Sequence, residues 1–248
     1  MFDAIAPRYD LLNHLLSAGI DRRWRTRALA SLQLSGTETL LDVCAGTADL
    51  AIGACGTGTA AAGSPQGRAA RVLGVDFAGA MLGYGIAKVR AAGLDRRVLL
   101  AQADAMSLPA RAASVDAATI GFGIRNVQRP EVACRELARV LRPGGRLAIL
   151  EFGAPTLPGV SAAYRWYFTH VLPRIGRAIS GHGLAYSYLP ASVVAFPPPA
   201  TFMRLLEDSG FTQVRATPMT FGIVNLYTAT RSRSALATDP HQMALGSI

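Results

Sequence analysis

An open, doubly wound α/β sheet is the fold this sequence predicts, and three observations predict it. Short β-like runs alternate with helical patterns from Thr39 onward. The first two runs, Leu40-Leu41-Asp42-Val43 and Val72-Leu73-Gly74-Val75, are nearly continuous apolar stretches, as parallel strands covered on both faces require. Acidic residues stand at or just beyond three successive strand ends, at Asp42, Asp76 and Asp104. In open α/β sheets that edge is where ligands bind.

The elements follow in order. Tyr9 to Leu32 reads as one or two helices ahead of the sheet. Strands are expected at Thr39–Val43, Arg71–Val75, Val98–Ala101, Val115–Ile120 and Arg146–Glu151, with a last pair at Thr212–Thr217 and Ile223–Thr230. Leu82, Ile86 and Val89 share one helical face. A second helix starts at Pro130, a residue suited to the first helical turn, and runs to Leu141 before Pro143-Gly144-Gly145. After Glu151 the rhythm breaks into aromatic and Pro-rich sequence, then resumes with a helix over Thr201–Ser209. Residues 1–231 form one domain in this reading, with N-terminal helices over 1–36, a cap insertion over 160–203, and a loose tail over 232–248.

Composition narrows the classes. The 248 residues are 50% hydrophobic and 17% charged, which supports a packed core and excludes a disordered chain. Cys44, Cys55 and Cys134 are odd in number and lack a C-x-x-C, and the four histidines have no ligand spacing, so reduced thiols and no metal are expected. The uncharged stretches Leu50–Gly67 and Ala178–Met203 are interrupted by glycines or prolines and hold no unbroken spanning helix. Lys+Arg number 25 against 16 Asp+Glu, a net charge of +9. That excess raises nucleic acid, an anionic membrane surface or an acidic ligand as partners. No compact nucleic-acid motif with interleaved aromatics accompanies it, so nucleic acid is not expected.

The chemistry concentrates on the strand ends. Asp42-Val43-Cys44-Ala45-Gly46-Thr47-Ala48-Asp49 is an acidic residue followed by a tight small-residue turn into a helix. Asp76 suits a ribose diol and Asp104 the adenine side, because both offer acceptors to donor groups. A dinucleotide would need G-x-G-x-x-G and free helix amides for its pyrophosphate, whereas here Gly46 stands alone and Asp49 places negative charge in the turn. S-adenosylmethionine carries a sulfonium and an ammonium and no phosphate. It matches the turn better. The alternative is structural, with Asp42 and Asp76 as strand-end turn residues and Asp104 as a helix N-cap.

At these residues the sequence resembles the menaquinone/ubiquinone biosynthesis C-methyltransferases, from Phe2 to about Arg231. The N-terminal signature stands as Tyr9-Asp10-x-x-Asn13-x-x-x-Ser17-x-Gly19-x-x-Arg22-x-Trp24. GFGIRNV (Gly121–Val127), RVLRPGGRLAILEFGAP (Arg139–Pro155), AYSYLPASVVAFP (Ala185–Pro197) and GFTQV (Gly210–Val214) are similar to further family motifs. The resemblance implies a class I S-adenosylmethionine-dependent methyltransferase, a Rossmann-like fold with a seven-stranded, mostly parallel sheet. It also implies methylation of a ring carbon of a polyprenylated hydroquinone. That is demethylmenaquinol to menaquinol, with the benzoquinol precursor of ubiquinone as the alternative. Cofactor contacts then fall on Thr47, Asp76, Asp104, Ala105 and Gly121, beside Gly46 and Asp42 of the turn, and S-adenosylhomocysteine is the product. The chain departs from the family at Ala48, Asp104 and Gly121, where glycine, asparagine and serine are common.

Ring-carbon methylation needs a quinol whose hydroxyl is partly or wholly deprotonated. Arg125 is expected to stabilise the phenolate-like oxygen and Asn126 to bond the second ring oxygen, with Tyr9 and His14 as proton relays. Arg125 and Asn126 as simple turn residues remain the alternative, and Glu151 is assigned no role. The isoprenoid tail gives Ala178–Met203 the task of walling an apolar tunnel at the membrane. Arg174, Arg177 and the Arg22, Arg23, Arg25, Arg27 cluster would then meet anionic headgroups from a cytoplasmic position at the inner membrane face. Homo-oligomerisation is left open.

Overall fold

The computed structural model describes residues 17, 19–56, 68–155, 159, 161, 162, 166, 170 and 191–233. The seven strands are β1 (Thr39–Val43), β2 (Arg71–Asp76), β3 (Val98–Gln102), β4 (Val115–Gly121), β5 (Leu141–Phe152), β6 (Phe211–Met219) and β7 (Val224–Arg231). They form one sheet in the order β3-β2-β1-β4-β5-β7-β6. All neighbours are parallel except β7, which runs antiparallel to both β5 and β6. The chain proceeds outward from β1 to β3 and then returns to β4 on the other side of β1. The crevice between β1 and β4 is therefore the point where strand order reverses, the usual ligand position of such sheets.

Helices cover both faces: α1 (Asp21–Ser31), α2 (Asp49–Ala54), α3 (Gly79–Ala91), α4 (Pro130–Val140) and α5 (Pro199–Asp208). Because side chains alternate along a strand, Leu40 of β1 enters the core layer that α1 and α2 share. Leu41 and Val43 enter the layer containing Leu137 of α4 and Phe202 of α5. Each fully buried Leu, Ile or Phe contributes roughly 1.5–3 kcal/mol, so two continuous layers make the site's floor rigid. In the second layer Phe202 meets Tyr227 edge-on, with centroids 4.9 Å apart. Trp24 of α1 is buried, and its indole N–H donates to the Thr220 hydroxyl at 2.9 Å, which ties the N-terminal helix to the β6–β7 turn.

Two expectations need correction. β5 begins at Leu141, five residues before Arg146, because Pro143-Gly144-Gly145 forms a bulge rather than a break. Val115 pairs with Leu141 and Ala117 with Arg146, and Gly144 sits at φ 80°, a conformation open to glycine at little cost. On α3, Ile86 is exposed, and the buried face runs through Met81, Leu82, Gly85 and Val89. The helix approaches the first turn so closely that a Cβ on Gly85 would lie 2.9 Å from Leu100 Cδ1 and 3.3 Å from Ala48 Cβ. Among the described residues no helix is long and apolar enough to cross a membrane.

Candidate functional site

The carboxyl ends of β1, β2 and β4 and the turn after β3 surround a cavity of about 350 Å³. Its lining includes Gly46, Asp76, Asp104, Ala105, Gly121 and Asn126, six of the residues expected from sequence, brought together from segments up to 80 positions apart. Two carboxylates and no Lys, Arg or His are among the described lining residues. A phosphate would find no counter-charge there, whereas hydroxyl and amine donors find acceptors.

Asp76 is the organising group. Its Oδ2 accepts from the Gly46 N–H and its Oδ1 from the Ala78 N–H, both at 2.8 Å. A carboxylate accepts about four hydrogen bonds, so the two amides fix the group without exhausting it. The same contact locks the turn after β1, which is also held by Ala45 N–H on the Val75 carbonyl at 3.0 Å. Cys44, Gly46 and Ala48 all take positive φ in this turn, at 57°, 55° and 69°. Asp104 does not cap a helix. It accepts the Met106 amide at 2.8 Å and closes a tight turn after β3 that presents Ala105 and Met106 to the cavity.

Ala48 stands in the left-handed region, at the position where the family resemblance leads to an expectation of glycine. Left-handed strain costs an L-residue roughly 1–2 kcal/mol, but a glycine would forfeit about 0.8 kcal/mol of buried methyl and about 0.4–1 kcal/mol through the unfolded chain. These terms nearly cancel, since Ala48 is fully buried. Ala48→Gly is therefore expected to leave Tm within about 4 °C of wild type, as thermal denaturation followed by circular dichroism would show. Gly121 departs for a packing reason: a Cβ there would lie 2.6 Å from Leu50 Cδ1, so a serine requires that leucine to move.

Thr47 and Asp42 support the turn from behind and are not among the cavity-lining residues. The Thr47 hydroxyl accepts from Lys88 at 3.2 Å. Asp49, expected to welcome a ligand cation, is instead matched by the protein's own charges: it pairs with Lys88 and, at 3.0 Å, with Arg25. Arg25 also pairs with Asp21 at 2.5 Å and so leaves the outward arginine cluster. Asp42 is buried, with Oδ1 accepting the Thr119 hydroxyl at 2.7 Å and no hydrogen-bond partner for Oδ2 among the described residues. Burial pushes its carboxyl up to about 7, with the Thr119 hydroxyl, the Arg25 charge and the nearby Ala51 backbone amide opposing. The Cys44 thiol, at the cavity wall, is pushed well above its usual range by burial and by the Asp76 and Asp42 charges, and stays protonated.

The two quinol-directed candidates part company. Asn126, the last residue of the 3-10 turn Ile124–Asn126 after β4, lines the cavity with Val127 and Gln128 that follow it. Arg125 turns away into a buried ion pair with Glu151. Tyr9 and His14 lie outside the described residues, as do Arg174 and Arg177. Phe77 was not anticipated: it follows Asp76 directly, is 76% exposed and lines the cavity. Its signal was an apolar aromatic immediately after a strand-end carboxylate, where a flat heterocycle would stack.

Comparison with known proteins settles the family. The profile of the ubiE/COQ5 methyltransferase family matches residues 1–231. This chain belongs to that family. It is 50% identical over 232 residues to the ubiquinone/menaquinone biosynthesis C-methyltransferase UbiE of Syntrophotalea carbinolica, covering 94% of this chain and 93% of that one. The demethylmenaquinone methyltransferase of Thermus thermophilus is 44% identical over 231 residues, 93% of this chain and 100% of the relative. Solved structures share the fold at lower identity. A methyltransferase from Aquifex aeolicus described as SAM dependent superposes with a TM-score of 0.55 at 18% identity, over 83% of this chain and 88% of that one. The [4+2]-cyclase SpnF does so with a TM-score of 0.64 at 18% identity, over 94% of each chain. A cyclase and a methyltransferase on one scaffold show that the fold alone leaves the reaction open. Family membership makes the chain a methyltransferase whose methyl donor is S-adenosylmethionine. The described lining fits that group: the Asp76 carboxylate is preset to accept from a diol, the exposed Phe77 ring can face a flat heterocycle, and none of the described lining residues is a cation that would oppose a sulfonium. Among the described residues no cluster of His, Cys, Asp or Glu is arranged to hold a metal.

Proposed function

We propose that this protein methylates a ring carbon of a polyprenylated hydroquinone, converting demethylmenaquinol to menaquinol. The observation that carries the reading is the cavity itself. Among the described residues an acceptor-lined adenosyl end without cations continues past Gly121 into a wall of Phe122, Gly123, Asn126, Val127 and Gln128, apolar except for two side-chain amides. A flat quinol bearing two oxygens suits that wall. The names of the relatives support the substrate class, since those at 50% and 44% identity are named for quinone biosynthesis. The benzoquinol precursor of ubiquinone is the second reading, because the first of those names covers both pathways.

S-Adenosylmethionine supplies an electrophilic methyl on a sulfonium, open to in-line attack. The residues of the chain then have four tasks. Asp76 and the Gly46 turn hold the donor so that attack is effectively unimolecular. Asn126 donates its amide N–H to a quinol oxygen and fixes the ring plane. Phe122, Gly123 and Val127 exclude water from the reacting carbon. Tyr9, with His14, takes the hydroxyl proton. Arg125 was expected to meet the phenolate directly, but its charge is balanced by Glu151, so we assign it to holding the Asn126 turn. Residues 1–231 act as one domain, the 160–203 cap contributing the tail tunnel. Arg22, Arg23 and Arg27, exposed on α1 and without an ion pair among the described residues, face anionic headgroups at the inner membrane surface.

Purified protein with labelled S-adenosylmethionine and chemically reduced demethylmenaquinone is expected to place the label in menaquinol, read by mass spectrometry. Label only in the benzoquinol precursor selects the second reading. Label in neither overturns both.

A further inference from the structure

Glu151 carries no role in the reading above, yet it is the most fully enclosed charge beside the cavity. It stands one residue before the end of β5 with no exposed surface. Its Oε1 accepts from Arg125 Nη1 at 2.7 Å and from the Phe152 amide at 2.8 Å, and its Oε2 accepts from the Arg125 backbone N–H at 3.2 Å. One carboxylate thus grips both the main chain and the side chain of Arg125. The guanidinium in turn donates from Nη1 to the Phe122 carbonyl and from Nε to the Ser192 hydroxyl at 3.3 Å, and lies 5.2 Å from the Phe152 ring centroid. Ser192 belongs to the helical turn over 191–195, within the predicted cap. Phe122, buried at φ 60°, is held in a conformation that a bulky residue adopts only when its surroundings force it, and it packs on Phe152 at 4.7 Å.

We propose that Glu151 is a positioning residue that acts through Arg125. It closes the segment from Phe122 to Asn126 into one shape, sets the Asn126 amide toward the quinol, and latches the cap to that segment through Ser192. A buried carboxylate is an expensive way to fasten a loop unless its partner is fully engaged, and here both of its oxygens are engaged with Arg125. The adenosyl end does not depend on it, since Asp76, Gly46 and Ala78 make their contacts without it. The inference rests on the quinol reading for the name of the substrate but not for the loop.

Glu151→Gln, Arg125→Gln and the double variant test it in the full chain. At position 151 glutamine keeps the shape and one acceptor and removes the charge, and at position 125 it removes the guanidinium that Glu151 grips. The expected result has three parts. The dissociation constant for S-adenosylhomocysteine stays within about threefold of wild type by calorimetry. kcat/KM for demethylmenaquinol falls on the order of 10²-fold in each single variant, as for a misplaced reacting group. The double variant is no worse than Arg125→Gln alone, because both changes act on one unit. Hydrogen exchange supplies a readout independent of turnover: amides of residues 122–126 and 191–196 should exchange faster in Glu151→Gln, and those of the Gly46 turn should not. Unchanged exchange at 122–126, or additive losses in the double variant, would overturn the proposal. Should wild type methylate no quinol while the exchange pattern appears, the substrate reading fails and the positioning role stands.

Discussion

Asp76→Asn is expected to weaken S-adenosylhomocysteine binding by roughly one to two decades. The carboxylate accepts the Gly46 and Ala78 amides from opposite oxygens at 2.8 Å each. An asparagine can serve one of these N–H groups through its carbonyl, but its NH₂ then faces the other donor, leaving a part-buried amide unsatisfied at roughly 1–3 kcal/mol. The ribose diol loses charge-assisted bonds of roughly 1.5–3 kcal/mol in the same step. The unsatisfied amide burdens the free protein as well, so the binding loss is set mainly by the diol at about 1.5–3 kcal/mol, or one to two decades of affinity. The same substitution at Asp104 is a built-in contrast. There the carboxylate serves one backbone amide, that of Met106, and an asparagine oxygen can replace it. Asp104→Asn should change affinity by no more than about threefold. Calorimetry on the two variants, with thermal denaturation to confirm folding, reads both. A loss under fivefold for Asp76→Asn would remove it from the centre of the cofactor site.

That contrast also marks what the sequence made legible. The positions of Asp76 and Asp104 follow from local pattern, because an apolar run long enough to be a covered strand tells where its carboxyl end lies, and the fold places ligands at that end, whereas Gly121 follows from the family resemblance. The partners of charged groups do not follow. Asp49 was read as negative charge awaiting a ligand, yet Lys88 and Arg25 answer it from helices 39 and 24 positions away in the chain. Sequence directs Arg125 to a phenolate-like oxygen as a fixed cation, yet Glu151, 26 positions on, pairs with it across β4 and β5. Helix packing on the sheet creates the Asp49 contacts and the pairing of β4 with β5 the Arg125 contact, and no local window contains either. The Ile86 error has a similar origin. Helical periodicity alone permits either Ile86 or Gly85 on the packed face, and the decision comes from how closely α3 approaches Leu100 and Ala48. Glycine at a close approach reads in sequence only as a missing side chain.

Native stability should fall as pH rises from about 4 to above 7, and Asp42→Asn should abolish most of that fall. Asp42 has its carboxyl pushed up by burial from 3.8 to about 7. Below about pH 4 the group is protonated in both native and unfolded chains and contributes no difference. Between pH 4 and 7 the unfolded chain releases the proton while the native protein keeps it, so the unfolded state gains. Above pH 7 both are ionised, and the native protein carries the full penalty of a charge whose Oδ2 has no hydrogen-bond partner among the described residues. Three pH units at 1.36 kcal/mol each set the effect at roughly 4 kcal/mol. Glu38 acts with the opposite sign and in another window. Burial raises its carboxyl, but amides of Ser35 and Gly36 and the Ser35 hydroxyl outweigh this and lower it to about 2, so its contribution is lost only as pH falls below about 4.5. Urea unfolding at pH 5 and pH 8 therefore isolates Asp42. Asparagine preserves the acceptor for the Thr119 hydroxyl and cannot ionise, so the variant should match or trail wild type at pH 5 and exceed it at pH 8. An equal fall in both proteins would mean that Asp42 is already ionised in the native state at pH 5, and that a cation or donor reaches Oδ2 behind the cofactor turn.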